Sequence, residues 1–250
     1  MLRIGRRALM ALALCGTAAS AETADELVAK HVEARGGAAA LAAITSLQFE
    51  GKLLFPGDFE LSYKEVRARQ AKGASTRVDA TLQGLTLVQA YDGTTGWRIN
   101  PFQGRRDAEQ MSADEARSLA DQASIEGPLL TARADGSTVS YLGREDFDGT
   151  STYKIKVAQK DGDEFVYLLA PETRLTNKMT ETRRVRGAEQ VSNYELGDYE
   201  KVAGVYFPMS IESWQGSASG ERQRVTIEKA AANVDAGPDL FAQPTTPNAK

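Results

Sequence analysis

The sequence predicts a mainly β protein with capping helices, built on one meandering antiparallel sheet of about eleven strands. Three observations predict it. From Leu47 onward apolar and polar residues alternate with a period of two. Hairpin signals punctuate the runs at Gln83-Gly84, Asp92-Gly93, Asp148-Gly149, Asp161-Gly162 and Ala203-Gly204. Helical spacing is confined to residues 22–45 and a segment near 112–125. A meander of this length has to curl or close to limit its exposed edges.

The chain opens with Arg3, Arg6 and Arg7, an apolar run from Ala8 to Leu14, and the small triplet Ala19-Ser20-Ala21. This pattern reads as a secretory signal peptide, residues 1–21, cleaved after Ala21. The run is well short of the roughly 20 apolar residues of a membrane span. Ala8-Leu9-Met10 after the arginine pair departs from a twin-arginine signal, so the general secretory (Sec) route is expected. The single cysteine, Cys15, leaves with the leader, because Leu14 is too large to precede a lipidated cysteine. The mature chain then carries neither thiol chemistry nor a disulfide. Loss of the three leader arginines takes the net charge from −4 to −7. That balance argues against nucleic acid and anionic membrane surfaces, which need clustered Lys and Arg.

After the leader, Leu27, Val28, His31 and Val32 recur at helical steps until Gly36-Gly37 breaks the pattern. A second short helix is expected over Ala38–Ile44. The first strand alternates Leu47, Phe49, Gly51, Leu53 and Phe55 with polar residues, and Pro56-Gly57-Asp58 turns the chain into Phe59, Leu61 and Tyr63. Further strands are expected at 76–82, 85–91, 139–142, 153–157, 165–169, 175–184, 190–196, 209–214 and 223–229. Ser112-Ala113-Asp114-Glu115 is a capping box that opens a helix toward Ile125, ended by Gly127-Pro128. This helix splits the strands into two sets and is placed to lie across the mouth of a curled sheet as a plug or lid. One domain is expected over residues 22–235, followed by a flexible Pro-, Ala- and Thr-rich tail, 236–250.

The helix ending in Gly36-Gly37, the segments Ala40-Leu41-Ala42-Ala43-Ile44 and Phe49-Glu50-Gly51, the stretch Tyr91 to Phe102, the inserted helix, and Asp198 to Pro208 occur in an order that resembles the LolA-like proteins, which sort lipoproteins to the outer membrane. The resemblance covers nearly all of the mature chain. It implies a LolA/LolB-like half-open β-barrel in the periplasm whose apolar inner face, capped by helices, takes up acyl chains. The expected partners are a lipid or an acylated lipoprotein, an inner-membrane donor and an outer-membrane acceptor, met transiently by a monomer without a cofactor. A dedicated carrier of this group also uses an arginine inside its cavity. A regulatory sensor of the same fold, bound to a membrane protein's periplasmic segment, is the alternative.

The candidate cavity residues follow the strand phases. They are Leu47, Phe49, Leu53 and Phe55, then Phe59, Leu61 and Tyr63, then Trp97, Ile99 and Phe102, then Ile155, Val157, Tyr167 and Met179, and finally Phe207, Ile211 and Trp214. Any one of them, taken alone, reads more readily as core filling. As a set they favour a ligand cavity, because so many aromatics line a sheet with few helices to cover it. Trp97 and Phe102 flank Asn100-Pro101, as a strand end with a rigid turn or as an aromatic rim.

His31 stands alone on an apolar helical stripe, without the companions of a zinc site or a catalytic triad, and reads as structural. Asp146-Phe147-Asp148-Gly149 lacks a calcium loop's closing glutamate, since position 157 is a valine, and Asp161-Gly162-Asp163-Glu164 has only a hairpin's worth of acids, so both read as hairpin turns. Arg183, Arg184 and Arg186, with Arg67 and Arg69, are the densest positive clusters and read as solvated, offset by neighbours such as Glu181 and Glu189, with contact to a phosphate head group or an acidic partner as the alternative. No phosphate loop, nucleophile elbow or metalloprotease helix is present, and nothing in the chain asks for an enzyme.

Overall fold

The structure, a computed structural model, describes residues 22–57 and 59–245. The leader and Cys15 lie outside the described residues. Helix α1 (Ala24–Arg35) opens on a capping box between Thr23 and Glu26, and α2 (Ala38–Ala43) follows the glycine pair. Gly36 has a φ of 123°, and a Cβ there would sit 2.2 Å from the Gly204 carbonyl oxygen. The expected helix break is therefore also the point where α1 abuts a strand hairpin.

Thirteen strands form one open antiparallel sheet. The first six are β1 (Ser46–Phe55), β2 (Phe59–Gln70), β3 (Gly73–Leu82), β4 (Leu85–Tyr91), β5 (Gly96–Asn100) and β6 (Arg105–Gln110). Helices α3 (Ala113–Ala123) and α4 (Pro128–Thr131) come next. The second set is β7 (Thr138–Phe147), β8 (Thr150–Ala158), β9 (Glu164–Leu169), β10 (Thr176–Val185), β11 (Ala188–Val202), β12 (Val205–Gln215) and β13 (Gln223–Ala232). Each set is a meander, and β1 pairs with β13, so the first and last strands meet at mid-sheet while β6 and β7 form the two edges.

The count exceeds the expected eleven through β5 and β6. The first is only five residues long, and the second, Arg-Arg-Asp-Ala-Glu-Gln, has the charge expected of a protected edge in place of apolar alternation. The turn before β5 is an Asx turn, in which the Asp92 carboxylate accepts from the backbone N–H groups of Thr94 (2.9 Å) and Thr95 (2.8 Å).

The sheet curls around α3. This helix packs on β5, where a Cβ on Gly96 would meet that of Ala116 at 2.7 Å, and it also bonds β10 through Asp121 and Arg183. Eight inter-strand steps separate β5 from β10, roughly 38 Å in a flat sheet, whereas an 11-residue helix is about 16 Å long. Only a curled sheet brings both strands to one short helix.

Two apolar clusters fill the inner face. One joins Leu27 of α1 and Leu129 of α4 to Val139, Ile155, Val157, Phe165 and Leu169. The other joins Leu41 and Ile44 to Leu47, Phe49, Val205, Phe207 and Ile227.

Register corrects two expectations on the outer face. Trp97 pairs with Ala90, in phase with Arg77 and Val66, which places it opposite the face that carries Phe49. It is therefore no rim over the mouth. The segment expected to be a loose tail covers it: the Trp97 indole donates to the Phe241 carbonyl (2.7 Å), and Phe241 is fully buried against Val66 and Ala68. Gln70 and Arg77 donate to the carbonyls of Ala236 and Leu240, tying this stretch down. Phe241→Ala should cost about 3–5 kcal/mol and red-shift tryptophan emission, both readable in one fluorescence-monitored urea titration. A loss under about 1 kcal/mol would show the contacts of this C-terminal stretch to be dispensable.

Candidate functional site

Between the inner face of the sheet and the α3–α4 segment lies a cavity of about 290 Å³. Five of the expected residues line it: Phe49, Tyr167, Met179, Phe207 and Ile211. Phe49 and Phe207 meet edge to face at 5.8 Å and form the centre of its apolar wall, continued by Leu196 and Ile227.

The other expected residues lie elsewhere. Leu47, Leu53, Tyr63, Ile155 and Val157 belong to the packed clusters beside the cavity, and Leu61 is buried on β2. Phe55 and Phe59 pack against each other at the first hairpin, where Phe59 is 48% exposed, and Phe102 is exposed in a 3₁₀ turn. Ile99 packs with Trp97. Trp214 pairs with Asn193, out of phase with Ile211, and is buried under the Arg222 guanidinium, 3.9 Å from its ring.

Sequence reading missed the charged half of the site. Glu65 (2% exposed) accepts from the Tyr63 hydroxyl (2.8 Å), Arg67 (2.6 Å) and Gln122 of α3 (2.9 Å). Across the cavity Arg183 (5% exposed) donates to Asp163 (2.7 Å) and Asp121 of α3 (2.7 Å), and also pairs with Glu181. Burial pushes the Asp163 carboxyl above its ordinary range, against the pull of Arg183 and Arg117. The reading of Arg183 as solvated is thus corrected, while Arg186 is exposed and reaches Glu115 (2.9 Å).

The signal was present in the strand phase. Tyr63, Glu65 and Arg67 continue the register of Leu61, and Glu181 and Arg183 that of Met179. Charges in an inward phase are costly unless paired, so such a break points to a polar site.

The α3–α4 segment closes the site with polar contacts at both margins. Glu115 caps α3, bonds to Ser112 that hold its carboxyl down at about 2, and also meets Arg98 of β5. The turn linking α3 to α4 is latched by arginines. Arg35 donates to the carbonyls of Glu126 (2.7 Å) and Ile125 (3.3 Å), while Arg69 bonds the Glu126 carboxylate (2.5 Å) and the Ile44 carbonyl (2.9 Å). Gly127, with a φ of 83°, supplies the left-handed turn that the strap needs.

His31 also lines the cavity, its Nδ1–H donating to the Arg174 carbonyl at 2.7 Å. Burial, with a smaller push from Arg35, lowers its pKa from 6.5 to about 4. Between those values the unfolded chain binds the proton and the folded chain does not. Stability should therefore fall as pH drops from 6.5 to 4, by about 3 kcal/mol in all from this group. In His31→Gln that share of the pH dependence should vanish from urea midpoints measured across the range; an unchanged profile would assign it to other groups.

No family model matches the sequence, and no curated protein matches it. Solved structures do. A putative outer membrane lipoprotein-sorting protein domain from Vibrio parahaemolyticus superposes with a TM-score of 0.60 at 10% identity, over 87% of this chain and 97% of that one. A LolA superfamily protein from Nitrosomonas europaea gives 0.57 at 14% identity, over 89% and 98%.

This chain has the LolA-like fold.

A DUF1329 family protein from Desulfovibrio piger shares it, with a TM-score of 0.58 at 11% identity over 88% of this chain and 97% of that one. At such identities the likeness is one of architecture. The charged lining is a property of this chain's own residues, and LolA-like architecture alone does not assign its ligand.

Proposed function

We propose that this LolA-like protein is an exported, periplasmic carrier. It takes a lipid, lipoprotein acyl chains or a similar hydrophobic ligand into the cavity and hands it between an inner-membrane donor and an outer-membrane acceptor. The supporting observation is a cavity with a continuous apolar wall, roofed by a segment that buries Ile125 and Leu129 and is latched at its turn by arginines. Each buried methylene contributes about 0.8 kcal/mol, so ten of them hold a chain by roughly 8 kcal/mol before ordering costs. Release on that scale needs the roof to move, and hydrogen-bonded latches on a glycine turn permit it. Among the described residues no helix is long and apolar enough to cross a membrane.

Ile211 is only partly buried on the cavity wall, so a charge there bars the chain without entering the packed core. Wild-type protein should take up a fluorescent fatty acid and transfer it from donor to acceptor liposomes. Ile211→Asp should lose uptake by about tenfold or more while keeping its circular dichroism and unfolding midpoint. Equal uptake by the variant would place the ligand outside this cavity.

A further inference from the structure

We propose that the ligand is a single-chain amphiphile with an anionic head group, a carboxylate or a phosphate monoester, whose oxyanion is held by the Arg35 guanidinium and the Tyr167 hydroxyl. The inference rests on the carrier reading and names its ligand class.

The cationic end of the cavity is built around Phe49 and Phe207. The Arg67 guanidinium lies 5.7 Å from the Phe49 ring centre and that of Arg35 lies 5.3 Å from the Phe207 ring centre. Arg67 is neutralised by Glu65, and at the far side Arg183 is neutralised by Asp163, Asp121 and Glu181. Arg35 differs. Among the described residues no carboxylate oxygen lies within 4.0 Å of it, and its protein partners are the neutral carbonyls of Ile125 and Glu126. The Glu126 carboxylate is engaged by Arg69. A guanidinium carries five N–H donors, and these two bonds leave three without a protein partner. Burial disfavours the Arg35 charge and nearby Arg67 adds to the cost, which Glu126 offsets only in part.

A second observation points to the same ligand. The Tyr167 side chain lines the cavity at 6% exposure, and its hydroxyl makes no hydrogen bond of good geometry, with the Leu129 amide in its vicinity. It lines the same cavity as Arg35. An oxyanion accepts from both groups, replaces the missing counter-ion, and leaves the chain against Met179, Ile211 and Ile227. The cavity, about 290 Å³, stands at the lower end of ligand sites of roughly 300–1,000 Å³, which fits one chain rather than three. Guanidinium bonds to a carboxylate or phosphate are among the stronger charge-assisted ones, and the free donors of Arg35 can make them with its carbonyl contacts in place.

Dodecanoate, dodecyl phosphate and 1-dodecanol share one chain and separate the head groups. In competition with a fluorescent probe, wild-type protein should prefer at least one anion over the alcohol by about tenfold or more, and the better anion names the head group. Arg35→Met should bring all three ligands to alcohol-like affinity. Tyr167→Phe, which leaves the strap contacts in place, should narrow the preference by a smaller factor. Equal binding of alcohol and anions by wild type, or a preference that survives in Arg35→Met, overturns the head-group assignment and leaves the carrier reading standing. If Arg35→Met does not fold, an unchanged ratio in Tyr167→Phe overturns it. Failure of all three ligands to bind wild-type protein overturns both readings.

Discussion

Arg183→Met should destabilise the protein by about 3–5 kcal/mol at neutral pH, because it strands acidic groups that the fold has taken out of water. Asp163 is 1% exposed and Glu181 4%, and both reach Arg183, as does Asp121 from the roof. Methionine fills much of the arginine's volume, so the loss reports charge rather than a void. The pH dependence carries a sign check. The Asp163 carboxyl is raised above its ordinary 3.8 in the folded protein. A raised acid costs stability above its unfolded value, and that cost fades as pH falls toward 3.8. Removing its cation should raise it further, so the deficit of Arg183→Met should shrink in acid. Urea titrations at pH 7 and pH 5 test both points. A pH-independent deficit would identify a packing defect, and a loss under 1 kcal/mol would show the cluster to be solvated. Adding Asp163→Asn should recover part of the stability at neutral pH.

A comparable loss, about 3 kcal/mol, is expected for Gly51→Ala. The register of β1 on β13 slips at Glu50 and Gly51, and a Cβ on Gly51 would lie 1.9 Å from the Thr226 carbonyl oxygen. The limit is space, since the obstacle is backbone that cannot swing aside as a side chain does. The two strands have to part where the two meanders join. In a domain of this size the melting temperature should drop by roughly 6–12 °C, measurable by calorimetry. A drop under 2 °C would mean that the bulge relaxes freely. The control is Gly57→Ala, where a Cβ meets nothing within 4 Å; its φ of 83° makes any loss there purely conformational.

The architecture was legible because it is written in local signals. Period-two alternation, Asp-Gly turns and the Ser112–Glu115 capping box each act within a few residues, and together they place eleven strands and the roof helix. The two strands that escaped notice carry too little pattern to detect, since one has only Trp97 and Ile99 alternating over five residues and the other is a charged edge. The site was legible only in its apolar half. Phe49, Tyr167, Met179, Phe207 and Ile211 follow the inward phase, but so do Ile155 and Val157, which α1 and α4 cover. Phase tells which face a residue takes, and long-range packing decides whether anything lies over it. Trp97 shows the converse error, because a short strand beside a proline gives too few residues to establish phase. The paired charges at Glu65–Arg67 and Glu181–Arg183 were written in the same register and were read as surface because charged residues usually are.

The strand order makes the stretch from residue 111 to 137 the string of a drawn bow. The limbs, β6 and β7, share no hydrogen bonds, and this covalent span is what ties their tips together, while β1 and β13 form the grip. The gap between the limbs is thus set by the length of one segment of chain together with the bonds that hold it to Arg35, Glu65 and Arg183. Slackening that segment with inserted glycines widens the bow without touching a cavity side chain. Cutting it leaves two self-contained half-sheets held at the grip, a natural split point for reporting on how far the limbs spread.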